Sequence, residues 1–235
     1  MPIQIAIDGP ASSGKGTVAR LVARKLGYAY IDTGSMYRSV ALFSRRARVE
    51  WDDGERLGAL ADVLRFRFPW DGERLRVIVN DEDVTEALRQ EEIGQGASKV
   101  SVFPAVRGAL LSLQRGLASL GGVVMEGRDI GTVVLPDAEL KVFLDATVQA
   151  RAARRTEELQ RRGVCVSRDA VEAELRTRDA RDRGRSVAPL RQATDARYLD
   201  TTSMSAEQAA DQIVEWARSL DAMGLTGDDG SGKAR

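Results

Sequence analysis

A glycine-punctuated loop between a short apolar strand and an amphipathic helix constrains this chain more than any other feature. Ile3, Ile5 and Ile7 lead into Asp8, and the next nine residues read Gly9-Pro10-Ala11-Ser12-Ser13-Gly14-Lys15-Gly16-Thr17. Val18, Leu21, Val22 and Leu26 then recur at helical spacing up to Gly27, a residue type that ends helices. Glycines let the backbone wrap so that successive amide N–H groups face one centre, and the helix N-terminus adds partial positive charge there. With Lys15 in register this is a phosphate-binding loop, and the lysine reaches the outer phosphates of a nucleoside triphosphate. The usual pattern sets Ser or Thr directly after the lysine, whereas here Gly16 precedes Thr17. No direct side-chain ligand for Mg²⁺ is therefore assigned, and the ion is expected to arrive with the triphosphate.

The rest of the chain continues the alternation of strand and helix. Apolar runs at Ile3 to Ile7, about Tyr28 to Ile31, Val123 to Met125, Leu140 to Leu144 and Tyr198 to Leu199 predict an α/β fold: a parallel sheet with helices on both faces, in three layers. Sites in such sheets lie at the carboxyl ends of the strands. Gly9 follows the first strand, Asp32-Thr33-Gly34 the second, Gly127-Arg128-Asp129 the third and Asp145 the fourth. Two segments break the alternation. From Glu50 to Arg89, Phe66 and Phe68 alternate with arginines and Leu75, Val77 and Val79 alternate again, with Asp71-Gly72 between them, which predicts a small antiparallel insertion with a hairpin turn. From Arg151 to Arg185 the chain is highly charged, with Arg162-Gly163 as a break between two helices. That segment follows a sheet strand and is expected to hang over the phosphate end as a mobile flap. The tail is rich in Gly, Asp and Ser and is expected to be disordered.

Composition removes whole classes of chemistry. The 235 residues include no histidine and only one cysteine, Cys165, so Ser-His-Asp and Cys-His catalysis, an internal disulfide and His or Cys metal sites are excluded. Basic and acidic residues balance at 35 each, which argues against a dedicated nucleic-acid binder. No apolar run approaches the ~20 residues of a membrane span, and no signal peptide precedes the first strand. The expectation is a cytoplasmic protein with no membrane partner.

Arginine dominates the basic side, with thirty against five lysines, and its fork suits phosphate and carboxylate. Asp32-Thr33-Gly34 is not paired with a second copy, as an aspartic protease would require. Arg38 lies about one turn beyond it, where it could meet an acceptor phosphate. Phe103-Pro104 opens a helix carrying Leu110, Leu111, Leu113 and Leu117, and Ser98 and Arg107 flank its start as candidate ligand contacts. Arg128 and Asp129 form an ion pair at a strand end or contact the ligand. Arg178, Arg181, Asp182 and Arg185 stand at i, i+3, i+4 and i+7, so one helix face presents three guanidinium groups and a carboxylate. Such a face either closes on a bound nucleotide or contacts RNA. A kinase for a phosphorylated acceptor needs these cations, because two highly charged anions repel. It needs no general base, since its acceptor oxygen is already ionised.

Five segments together resemble the bacterial cytidylate kinase family over about residues 3 to 220. They are Ile7-Asp8-Gly9-Pro10 with Ser13-Gly14-Lys15-Gly16-Thr17, Asp32 to Arg38, Phe103 to Arg107, Gly127 to Ala138, and Arg178 to Leu190. Ser35 departs from the Ala more usual there. The resemblance implies a P-loop nucleoside monophosphate kinase fold over 1–222. Its core would be about 1–48, 104–150 and 186–222, with an NMP-binding insertion at about 49–103, a lid at about 151–185 and a disordered tail at 223–235. It implies transfer from ATP, with Mg²⁺, to CMP or dCMP; a monomer is expected. By position, Lys15 and the Gly9 to Thr17 loop would hold ATP, and Arg38 and Arg128 the CMP phosphate. Arg107, Asp129, Arg185 and the Thr33 hydroxyl would surround cytosine, and Ser98, Arg178 and Asp182 would contact the sugar. Arg154 and Arg181 would approach the transferring phosphate as the flap closes.

Overall fold

The first strand, β1 (Gln4–Asp8), is buried along almost its whole length, as its isoleucines require. In the computed structural model, which describes residues 2–72, 74–119 and 121–222, it is followed by α1 (Lys15–Leu26), β2 (Ala29–Asp32) and α2 (Thr33–Arg46). Next come α3 (Gly54–Asp62) and five two-residue strands: β3 (Phe66–Arg67), β4 (Trp70–Asp71), β5 (Arg74–Leu75), β6 (Ile78–Val79) and β7 (Glu82–Asp83). A 3₁₀ turn at Ala87–Arg89 leads to α4 (Glu91–Val100), α5 (Pro104–Ala118) and β8 (Val123–Gly127). A wide turn at Ile130–Val134 then precedes β9 (Leu140–Asp145), α6 (Val148–Arg161), α7 (Arg168–Arg183), β10 (Arg197–Asp200) and α8 (Ala206–Ala222).

The five long strands form one parallel sheet in the order β10-β9-β1-β8-β2. Ile3, Ile5 and Ile7 face α1 and α8, meeting Val18, Val22, Ala209 and Ile213. Ala6 faces the opposite layer with Met125, Ala118 and the apolar side chains of the wide turn. These are the three layers expected from the strand pattern. β1 is central, and its two neighbours are reached by different crossovers. Its carboxyl end is therefore the switch point, where a crevice opens.

The insertion departs in part from expectation. Asp71-Gly72 does turn a hairpin between β4 and β5, and β3-β6-β7 form a second antiparallel sheet. Trp70 rests against Tyr30 of β2, with ring centroids 6.4 Å apart, so the hairpin leans on the main sheet. The helix α3 went unnoticed in the sequence, although Asp53 caps it by accepting from Arg56 N at 3.1 Å and Leu57 and Ala61 share its buried face. That face joins Met36, Val40, Ile93, Val106 and Leu110 in a second cluster, separate from the sheet core. In α5, Leu110 is buried, but Leu117 is 38% exposed and does not belong to the core face. The expected disorder at 223–235 concerns a segment outside the described residues. Among the described residues no helix is long and apolar enough to cross a membrane.

Leu57 is fully buried and far in sequence from the phosphate loop. Leu57→Ala is expected to lower unfolding stability by ~2–5 kcal/mol in urea titrations while leaving triphosphate affinity unchanged.

Candidate active site

The loop after β1 owes its path to close packing. A Cβ on Gly9 would stand 2.0 Å from the Leu144 carbonyl oxygen of β9, so only glycine lets the chain pass. Ser12 takes a left-handed φ of 58°, which turns successive amides toward the loop's centre. Lys15 opens α1 and curls back, donating to the Pro10 carbonyl at 3.2 Å. Its ammonium lies 3.7 Å from Glu126 Oε2 on the adjacent strand β8. Glu126 also accepts from the Tyr30 hydroxyl at 3.1 Å. A Cβ on Gly16 would meet Glu126 Oε1 at 2.8 Å. The glycine that breaks the usual motif is there because a carboxylate fills the space a side chain would need.

The other half of the site gathers arginines. Asp32 caps α2, accepting from Ser35 N at 3.0 Å, and lies 3.5 Å from the Arg38 guanidinium. Arg107, in the first turn of α5, donates to Asp129 just beyond β8, and both are buried. Asp182 of α7 accepts from Arg128 Nε at 2.8 Å and from Arg185. The Thr33 hydroxyl donates to the Glu126 carbonyl at 2.7 Å. Among the described residues, Arg178 alone of the arginines lining the cavity forms no hydrogen bond or ion pair, and its Nε is buried without a partner.

These charges act on one another. Burial, then the neighbouring Arg128, lowers Lys15 to about 8 and Arg178 to about 10. Burial raises Glu126, although Lys15 opposes it. Burial also raises Asp129 against the pull of Arg107. Burial would raise Asp182 too, but Arg128 and Arg185 overcome it and hold the carboxyl at about 2. The result is a cavity of about 830 Å³ in which cations outnumber their partners and an anion lowers the repulsion.

The charged segment after β9 is two helices packed on each other and bound to the loop from behind. Arg151 is buried; it pairs with Asp179 at 2.6 Å and donates to the Ala11 and Ala146 carbonyls at 3.0 Å each. Arg154 donates to the Ser13 carbonyl at 3.3 Å and to the Thr201 carbonyl. Across the cavity mouth, Arg155 of α6 pairs with Glu91 of α4, and Arg162 donates to the Arg89 carbonyl at 2.9 Å.

The model of the cytidylate kinase family matches residues 5–219. The chain belongs to the cytidylate kinase family. It is 50% identical over 211 residues to the cytidylate kinase of Pelotomaculum thermopropionicum, covering 89% of this chain and 93% of that one. It is 46% identical over 220 residues to that of Chromobacterium violaceum (94% and 97%) and 45% identical over 215 residues to that of Pasteurella multocida (91% and 94%).

In this cytidylate kinase family member, the cavity brings together most of the residues singled out from sequence. Ala11, Ser12, Gly14, Lys15, Gly16 and Thr17 line it, as do Thr33, Arg38, Ser98, Arg107, Arg128, Asp129, Arg178, Asp182 and Arg185. Gly9, Pro10 and Ser13 lie outside its lining and form the base of the loop. Arg154 and Arg181 also lie outside it. Arg154 is bonded behind the loop, and Arg181 donates to Ser98 Oγ at 3.1 Å and borders a separate hollow with Val102 and Ser186. The expectation of one continuous charged helix face needs correction. α7 ends at Arg183, and Arg185 reaches Asp182 from beyond the helix. Glu126 was missed. A lone charge closing the apolar run Val123-Val124-Met125 is the signal that could have found it.

Because Lys15 must be protonated to meet a phosphate, kcat/KM for the triphosphate is expected to fall as pH rises through about 8, read from pH profiles with the acceptor saturating. Replacing Arg178 removes an unpaired charge from the cavity wall. Arg178→Met is expected to raise the melting temperature of the ligand-free protein by about 2–4 °C while acceptor-dependent turnover falls.

Proposed function

We infer that the chain is a (d)CMP kinase, transferring the γ-phosphoryl group of ATP to CMP or dCMP and releasing ADP and CDP or dCDP. One observation carries this beyond the family match: a single cavity is lined both by the phosphate loop with Lys15 and by Arg38, Arg107, Arg128 and Asp129. A donor and an anionic acceptor can meet there. The chain works as one unit over 1–222, with a core at about 1–48, 104–150 and 186–222, an acceptor-binding insertion at about 49–103 and a lid at about 151–185. It acts as a cytoplasmic monomer that needs neither nucleic acid nor membrane.

The loop amides and Lys15 hold the triphosphate, and Arg38 and Arg128 hold the acceptor phosphate. Ser98, Arg178 and Asp182 stand where the sugar lies. Arg178, being unpaired, is also the lid cation left to meet the transferred group. Arg154 and Arg181 reach that group only if the lid moves, since each is bonded elsewhere. Guanidinium groups that meet the phosphoryl group in its transition state contribute ~10³–10⁵ in rate. The donor set suits an ion carried by the triphosphate. Among the described residues no group of three His, Cys, Asp or Glu side chains stands together to hold a metal, and the exposed Thr17 at the cavity wall is the hydroxyl residue after Lys15 that would hold the ion. Mg²⁺ carried on the triphosphate would supply charge neutralisation there.

Base choice follows from Arg107 and Asp129, with Arg185 and Thr33 completing the surround. Cytosine offers an amino donor at N4 and acceptors at N3 and O2. Asp129 accepts from the first and Arg107 donates to the others. Uracil sets a carbonyl against the carboxylate, and each buried group so unpaired costs about 1–3 kcal/mol. Turnover with a panel of nucleoside monophosphates is expected to favour CMP and dCMP over UMP by at least ~10-fold in kcat/KM. Equal turnover of UMP at matched concentration would sink this assignment.

A further inference from the structure

Asp8 has no part in the chemistry described so far, yet its surroundings are highly specific. It is the last residue of β1 and only 4% exposed. Its Oδ1 accepts from Ile130 N at 2.7 Å and its Oδ2 from Gly131 N at 2.8 Å. β1 and β8 run parallel with Asp8 opposite Gly127, so its carboxylate lies under the turn that carries Arg128 and Asp129. Those two amides are the first of that turn. They are also the neighbourhood in which a carboxylate at position 129 would ordinarily be spent, because an aspartate beginning a helical turn folds back on amides just after it. Asp129 makes no such cap. Its carboxylate is held by Arg107 and lines the cavity.

We propose that Asp8 is a positioning residue for base recognition: by occupying the Ile130 and Gly131 amides it keeps the Asp129 carboxylate directed into the cavity, and so maintains the preference for a cytosine-bearing acceptor. This rests on Asp129 being the carboxylate that reads the base. Asp8 also ties that specificity to the phosphate loop, since Gly9 is its next neighbour in the chain.

The clamp requires both oxygens unprotonated, because a proton on either sets a hydroxyl against an N–H. Burial raises Asp8 to about 7, with the two amides and Lys15 of α1 lowering it and Asp129 raising it. From β9, Lys141 packs against Gly131, but its ammonium is held by Asp195 at 2.7 Å. Acidification through neutrality therefore releases the clamp.

The test uses the full chain, with CMP and UMP as acceptors at saturating ATP, in the parent, Asp8→Asn and Asp129→Asn. Asp8→Asn turns one acceptor into a donor facing an amide. It is expected to lower kcat/KM for CMP by about tenfold or more, chiefly through KM, with UMP and the KM for ATP changed less than about threefold. Asp129→Asn is expected to lower the CMP to UMP ratio as well. If Asp129→Asn leaves the ratio unchanged, its base-reading role fails and this inference fails with it. If Asp129→Asn lowers the ratio and Asp8→Asn reduces both acceptors in proportion, this inference alone is overturned. A measurement on the parent protein stands even if Asp8→Asn does not fold. The amide resonances of Ile130 and Gly131 are expected to titrate together between pH 5.5 and 8.5 with an inflection near the value of about 7, and the CMP to UMP ratio to fall over the same interval on acidification. The acceptor phosphate titrates alike in both nucleotides and cancels in that ratio. Amides without an inflection, or a ratio that ignores it, overturn the proposal.

Discussion

Lys15, Arg128 and Arg178 line one cavity and depress or resist one another's ionisation. Two cations about 4 Å apart at an effective dielectric of 20 repel by about 4 kcal/mol, so such a cluster persists only with compensation. Glu126 supplies it for Lys15, Asp182 for Arg128 and Arg185, and Asp129 for Arg107. Arg178 is left over. The arrangement is neutral enough to fold and cationic enough to draw in two anions. The balanced net charge of the chain conceals this local excess.

The sheet makes that cluster possible by bringing strand ends together. β1 lies between β9 and β8, so the phosphate loop, Glu126 and the Arg128-Asp129 turn all start from one edge. Two contacts hold the edge in place: the close approach of Gly9 to Leu144 and the paired bonds from Asp8 to the turn. The phosphate loop and the arginine-lined half of the site are thus joined through the backbone of a single central strand.

Helices α6 and α7 are joined to the same loop from behind. Arg151 spans Ala11, Ala146 and Asp179, so α6 and α7 share a buried charge with the loop they cover. Across the mouth the contacts are of another kind. Arg155 to Glu91 and Arg162 to the Arg89 carbonyl are partly solvated, and such pairs are weak. The segment is thus held firmly at the loop and weakly at the insertion.

Local pattern alone carried much of this. The loop residues, the five strands and their parallel order of layers followed from apolar runs and glycine placement, because strand burial and phosphate binding are both local properties. Arg38, Arg107, Arg128 and Asp129 were legible because they follow strand ends or open helices. Glu126, Asp8 and the brace formed by Arg151 were not. Each acts on residues about 110 to 140 positions away, and nothing in a linear pattern shows which carboxylate faces which cation. The same distance explains why Arg178 and Arg181 were read as one charged face and Arg154 as a group that approaches the transferred phosphate. Helical spacing sets a side chain's direction, but only packing decides whether a guanidinium is spent on Thr201, spent on Ser98, or left without a partner. The linear order of residues determined the fold class and the kind of ligand, through periodicity and a backbone that wraps an anion. Tertiary structure alone decided the pairing of charges, because electrostatic energy depends on separation in space and on burial.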